Sequence, residues 1–257
     1  MTKPLILVTN DDGVMAPGIR HLVKYMMELG EVVVVAPDKP QSGMGHAVTI
    51  TNPLRLEKIT VDGGHAEYSC SGTPVDCVKL AVTQVLKRKP DLLVSGINHG
   101  SNSSISVIYS GTMSAAIEGA MEGIPSVGFS LLDYRFDADF TQAKKHILRV
   151  ASNVLEHGLP EGICLNVNIP AVKEKEIKGI KVCRQARGNW NEDFDYRKDP
   201  RGKDYYWLTG EFVLYENSNE TDEWALSNNY VSVVPVQFDF TAHDLIPEIT
   251  KWNFDAK

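Results

Sequence analysis

Apolar residues in the first two thirds of the chain fall into short unbroken runs, which alternate with stretches at helical spacing. Leu5-Ile6-Leu7-Val8-Thr9 is such a run and stops at Asn10-Asp11-Asp12-Gly13. A strand of a parallel sheet is covered on both faces, so it reads as a continuous apolar run ended by a turn. Ile19, Leu22, Val23, Met26 and Leu29 then recur on one helix face before Gly30, and Glu31 to Ala36 is a second buried strand closed by Pro37. Strand, helix and strand in this order open a doubly wound, mainly parallel sheet.

The pattern continues along the chain. Ala47 to Thr51, Leu54 to Ile59 and His65 to Cys70 predict short strands separated by turn residues such as Asp62-Gly63-Gly64, a small antiparallel insertion near 47–70 beside the main sheet. Thr73-Pro74 is a helix-start pair ahead of Val75, Val78, Val82, Val85 and Leu86. Leu92 to Ser95, Ser126 to Ser130 and Cys164 to Ile169 read as further core strands. Ala115 to Met121 and Ala143 to Leu155 read as helices between them. After Arg184 the texture becomes polar and aromatic. A strand pair is expected around Tyr205 to Leu214, a strand at Tyr230 to Val236 and a last helix over Ala242 to Trp252. The expected organisation is an α/β core over residues 1–184 and a dependent C-terminal extension over 185–257.

Composition narrows the partners. The 257 residues carry 26 Lys+Arg against 33 Asp+Glu, a net charge of −7, which argues against a general nucleic-acid binder. No apolar run approaches the length of a membrane span and no signal-peptide pattern opens the chain, so a cytoplasmic protein is expected. Cys70, Cys77, Cys164 and Cys183 form no C-x-x-C pair and read as buried free thiols. No G-x-G-x-x-G follows the first strand, which disfavours a dinucleotide cofactor.

Ligands of open α/β sheets bind beyond the C-terminal strand ends, and four polar segments fall there. Asp11 and Asp12 are adjacent carboxylates at a buried strand tip. A divalent cation would balance them, although Asx residues before glycine also form plain turns. Ser42 and Asn98 lie in neighbouring loops, and an Asp, Asp, Ser, Asn set is all oxygen, suited to magnesium, manganese or calcium rather than zinc. Ser110-Gly111-Thr112 opens a helix, where hydroxyls and free N–H groups bind phosphate or merely cap. Ser71-Gly72-Thr73 repeats the pattern and reads as a cap. His46 and His99 lie in the same loops and are within reach of a substrate, whereas His21, His146 and His157 fall on helices.

Asn10-Asp11-Asp12-Gly13-Val14, Ala16-Pro17-Gly18, Ala36-Pro37-Asp38, Gln41-Ser42-Gly43, Gly72-Thr73-Pro74, Ser95-Gly96-Ile97-Asn98, Gly100, Asn102 and Tyr109-Ser110-Gly111-Thr112 together resemble the SurE survival-protein family. The motifs stand in the family's order over the first half of the chain; the second half matches more loosely. The resemblance implies a Rossmann-like core and a metal-dependent 5′/3′-nucleotidase acting on nucleoside monophosphates, in the cytoplasm. It implies one divalent cation per subunit, held by Asp11, Asp12, Ser42 and Asn98, with Asn102, Ser110, Gly111 and Thr112 facing the phosphate. Asp11 or Asp12 would orient or deprotonate the attacking water. It also implies a C-terminal extension used in oligomer contacts. The dense aromatics of Gly188 to Leu214 agree with that, as the interface of a homodimer or homotetramer. Two rival readings are a receiver-like signalling module with an acidic pair after its first strand, and a non-catalytic nucleotide-binding protein.

Overall fold

The structure is a computed structural model that describes residues 3–59, 65–135 and 137–254. Its elements in chain order are β1 (Leu5–Thr9), α1 (Pro17–Met26), β2 (Glu31–Pro37), β3 (Leu56–Ile59), β4 (Ala66–Cys70), α2 (Pro74–Leu80), β5 (Leu92–His99), α3 (Gly111–Met121), β6 (Ser126–Leu131), α4 (Lys144–His157), β7 (Ile163–Ile169), β8 (Gly179–Val182), β9 (Gly188–Lys198), β10 (Asp204–Leu214), α5 (Asp222–Ser227), β11 (Tyr230–Gln237) and α6 (Ile246–Ile249). Nine strands form one sheet in the order β3-β4-β2-β1-β5-β6-β7-β11-β8. The six strands from β4 to β7 are mutually parallel.

The unbroken apolar runs are explained by helices on both faces. Ile6 and Val8 point into a layer filled by Ile19, Leu22 and Met26 of α1 and by Ile147, Val150 and Val154 of α4. Leu5 and Leu7 point to the other side, against Cys77 and Val78 of α2 and Ala115 of α3. Alternate residues of one strand thus serve two cores, which leaves no polar face on the central strands. Gly18 lets α1 approach the end of β5: a side chain there would meet the Ile97 carbonyl oxygen at 2.0 Å. The α/β reading of the sequence is correct, and all four cysteines are free and buried. Among the described residues no helix is long and apolar enough to cross a membrane.

Three local expectations need correction. Residues 47–51 form no strand. Thr73 donates its hydroxyl to the Ala47 carbonyl at 2.7 Å, and the Thr49 N–H is given to the Asp76 carboxylate at 3.1 Å. Side chains at the start of α2 therefore hold this segment in place of a partner strand, and Ile50 is 87% exposed. The other two strands do not lie beside the sheet but extend it. β4 pairs in parallel with β2, and β3 pairs antiparallel with β4. The turn at Asp62-Gly63-Gly64 lies outside the described residues. The last helix is also shorter than expected: a 3-10 turn at His243–Leu245 and the single turn of α6, with Leu245, Ile246 and Trp252 exposed.

Chain from beyond residue 184 enters the main sheet. β11 lies between β7, to which it is antiparallel, and β8, to which it is parallel. β9 and β10, eleven residues each, stand apart as an antiparallel hairpin. At the start of α2, Thr73 and Asp76 form a reciprocal capping box, so that Ser-Gly-Thr is a cap.

Candidate active site

The parallel strands run outward from β1 and β5 in opposite directions of chain progress, so the strand order reverses between these two. That reversal leaves a crevice beyond their C-terminal ends. Asp11 and Asp12 follow β1, Asn98 lies near the end of β5, Ser42 is in the loop after β2, and Ser110 is the N-cap of α3. These five residues, with Asn102, line one cleft of about 240 Å³. The sequence separates them by as much as 99 positions; the strand order alone brings them together.

Asp11 is buried, and the first turn of α3 sits directly behind it. Thr112 donates its hydroxyl to Asp11 Oδ1 at 2.5 Å. A side chain on Gly111 would meet the Asp11 Cβ at 2.7 Å, so glycine is what lets the helix end this close. Burial first, and then the charge on Asp12, push the Asp11 carboxyl up to about 6, against the Thr112 hydrogen bond. Burial also raises Asp12, opposed by His99. One Asp12 oxygen, Oδ2, is buried with no hydrogen-bond partner. No Lys or Arg is among the described residues that line the cleft. A buried carboxylate beside a half-buried one, with no Lys or Arg in the cleft lining, is costly, and a divalent cation fits this donor set. Asn98 gives both its amide hydrogens to the backbone carbonyls of His99 (3.1 Å) and Gly100 (3.0 Å), which leaves Oδ1 as its acceptor. Among the described residues there is no group of three or more His, Cys, Asp and Glu side chains suited to a metal. The oxygens of Ser42 and Asn98 would complete the set.

The residues read as facing phosphate divide into two groups. Ser110 lines the cleft and caps α3, accepting the Met113 N–H at 3.0 Å. Asn102 lines it too, giving its side-chain amide to Ser130 Oγ and its backbone N–H to Asn168 Oδ1, each at 2.8 Å. Thr112 and Gly111 do not line it. Thr112 is fully buried and its hydroxyl is committed to Asp11. A residue at the second position of a helix turns some 100° per step away from the cap, and here that turn points it back at β1.

Sequence reasoning missed the brace around Asn102. Asn166 and Asn168, two apart on one face of β7, hold its carbonyl and its N–H. Two amides at period two inside an apolar strand were the available signal. Ser104, at φ 50°, gives its N–H to Asp222 Oδ2 at 2.8 Å, and Asp222 Oδ1 takes the Ala186 N–H at 2.9 Å. Trp190 of β9 was also missed: it lines the cleft and its indole N–H donates to Ser106 Oγ at 3.3 Å. His99 lines the cleft, whereas His46 faces away and pairs with Glu118 at 2.9 Å.

Fold and site together define a Rossmann-like α/β protein with an oxygen-lined acidic site at the reversal of its strand order. The family model of survival protein SurE matches residues 6–192, and the chain belongs to that family. A 5′-nucleotidase SurE of Flavobacterium psychrophilum is 63% identical over 256 residues, covering 99% of this chain and all of its own. A 5′-nucleotidase SurE of Bacteroides fragilis is 51% identical, covering 98% of both chains. The crystal structure of a SurE protein from Aquifex aeolicus superposes with a TM-score of 0.83 at 43% identity, covering 96% of this chain and 98% of that one.

Proposed function

We propose that the chain is a divalent-metal-dependent phosphomonoesterase that hydrolyses nucleoside 5′-monophosphates, and 3′-monophosphates by the same chemistry, to nucleoside and phosphate. The observation that carries this is the Asp11–Asp12 pair, in a cleft lined by no lysine or arginine among the described residues, set against the N-terminus of α3 at the strand reversal. Relatives named 5′-nucleotidase, matched along almost the whole chain, support it. The receiver-like reading is disfavoured on two grounds. Asn98 stands where that module needs an aspartate, and the relatives carry a different activity in their names.

Asp11, Asp12, Ser42 and Asn98 would hold magnesium or manganese, with calcium also compatible with an all-oxygen set. When bound, such a cation polarises a phosphoryl oxygen and lowers the pKa of an adjacent water. The chain supplies the rest. Ser110 and the positive end of the α3 dipole face the equatorial oxygens and stabilise the charge that develops on them. Asn102, fixed by Asn168 and Ser130, borders the same space. A carboxylate of the aspartate pair orients the attacking water and takes its proton. The water oxygen bonds to phosphorus as the bond to the ribose oxygen breaks, and the leaving oxygen takes up the proton that the carboxylate received, which gives the hydroxyl of the nucleoside. Thr112 holds Asp11 rather than the phosphate. The exposed aromatics on the β9–β10 hairpin, Phe194, Tyr206 and Trp207, support assembly as a homodimer or homotetramer.

Release of inorganic phosphate from adenosine 5′-monophosphate with added manganese or magnesium tests this function. Steady turnover is expected. Stoichiometric labelling of the protein, or binding without release, would overturn it in favour of the receiver or the binding protein.

A further inference from the structure

Beside the polar cleft lies a larger cavity of about 470 Å³, and the two share Gly43, Tyr109 and Trp190. The first ends in the oxygens of Asp11, Asp12, Ser42 and Asn98. The second continues over Tyr109, Trp190 and Leu208, which are 50%, 39% and 61% exposed. Two aromatic rings and a leucine left uncovered around a concave space, which Glu192 and Thr209 also line, and joined to a polar cleft, have the form of a ligand site: apolar surface with a few polar groups.

Trp190 is held on two sides. Its indole N–H donates to Ser106 Oγ, and Phe212 from the neighbouring strand meets it edge-on, with ring centroids 5.8 Å apart. Tyr109 sits one residue before the N-cap of α3, and its carbonyl accepts the Gly45 N–H, which ties it to the loop of Ser42. The Trp190 ring and the Tyr109 backbone are thus fixed relative to the oxygen-lined end, so a flat ligand group costs little freedom of the indole on binding.

We infer that this shelf binds the nucleoside half of the substrate, with the base stacked on the face of Trp190 beside Tyr109 while the phosphate lies at Ser110 and α3. The inference rests on the phosphatase reading. It assigns the β9–β10 hairpin a role in choosing substrate within its own subunit. Stacking tolerates any base, because each has a π-face, so the shelf distinguishes nucleotides from phosphate esters that lack a base.

The test compares kcat/KM for adenosine 5′-monophosphate and for ribose 5-phosphate, which presents the same ester without the base. Wild type, Trp190→Ala, Trp190→Phe and Leu208→Asp are assayed with manganese. Loss of one stacking face is expected to lower the ratio of the nucleotide value to the ribose 5-phosphate value ~10- to 100-fold in Trp190→Ala, with the ratio largely restored in Trp190→Phe. Leu208→Asp, exposed on the hairpin and outside the core, is expected to move in the same direction by less. Equal losses on both substrates, or none on either, would overturn the shelf while leaving the phosphatase reading in place. So would a wild type that prefers the nucleotide no more than the sugar phosphate. If wild type turns over neither ester, the phosphatase reading fails, and equilibrium dialysis of adenosine then decides the shelf alone. Binding that Trp190→Ala abolishes supports the shelf, and no binding to wild type overturns it.

Discussion

Thr112 stands directly behind Asp11, donating its hydroxyl to Oδ1 from a fully buried position in the first turn of α3. The carboxylate is thereby fixed to a helix rather than to its own turn alone. Partners of this kind orient a metal ligand, and their removal typically costs ~10- to 100-fold in metal affinity. Thr112→Val is expected to raise the manganese concentration needed for half-maximal activity by about that factor. Saturating metal should bring back most of kcat, and Thr112→Ser should stay near wild type. A fall in kcat that excess metal does not repair, with metal affinity unchanged, would place the hydroxyl on the phosphate instead.

The raised Asp11 carboxyl makes the metal-free protein sensitive to pH in a defined direction. Its value rises from 3.8 to about 6 on folding. Over that window the folded state holds more protons than the unfolded one, so stability falls as pH rises through about 6 and is fully present below 3.8. The contribution is on the order of 3 kcal/mol. Metal-free Asp11→Asn is therefore expected to melt above metal-free wild type at pH 8. The two curves should converge towards pH 4, as thermal scans at both values would show.

Chelation offers a simpler check on the acidic pair. Activity is expected to disappear with a chelator and to return with manganese or magnesium. Asp12→Asn should stay inactive under both conditions with an unchanged circular dichroism spectrum, since Asp12 lies at a strand tip. Full activity in the metal-free enzyme would remove the basis of the site.

Asp222 ties the C-terminal part of the chain to the loop of Asn102. It receives the N–H groups of Ser104, Ala186 and Glu223 at 2.8 to 2.9 Å. Asp222→Ala strands buried donors, and a loss of ~2–4 kcal/mol in stability is expected from urea titration. Asp222→Asn keeps one acceptor oxygen and should lose less. A variant as stable as wild type would show that these three bonds are replaced by solvent.

Phe194, Tyr206 and Trp207 are 59%, 60% and 60% exposed along the hairpin, at a distance from the cleft-lining Trp190. Replacing all three by serine is expected to shift the particle to a smaller size in light scattering. Hydrolysis of ribose 5-phosphate should persist, because the polar cleft is untouched. An unchanged size would mean that these three side chains hold no assembly together.

The central sheet was legible because strands covered on both faces leave unbroken apolar runs, and β1, β2, β5, β6 and β7 all do so. The segment at 47–51 misled because β-branched residues favour strands only where a partner exists, and side chains at the start of α2 took its polar groups first. Within the site, Asp11, Asp12, Ser42, Asn98, Asn102 and Ser110 could be read from positions at strand and helix ends. Thr112 could not, since a motif gives residue types but not which way a helix turns them. Trp190 meets Ser106 across 84 positions, a contact no local spacing encodes.

The place of β11 bears on how the chain is made. As synthesis proceeds, β7 emerges with one edge unpaired, and β8 then has no neighbour, until β11 enters the gap between them. At ~5–20 residues per second, the nascent sheet waits several seconds for its missing strand. An apolar strand with a bare edge is a template for pairing with other chains. The stretch that carries the family match, ending at residue 192, holds all the aspartates and hydroxyls of the acidic cleft yet lacks the strand that seals β7. Translation halted there would leave a sticky intermediate for chaperones rather than a small working enzyme.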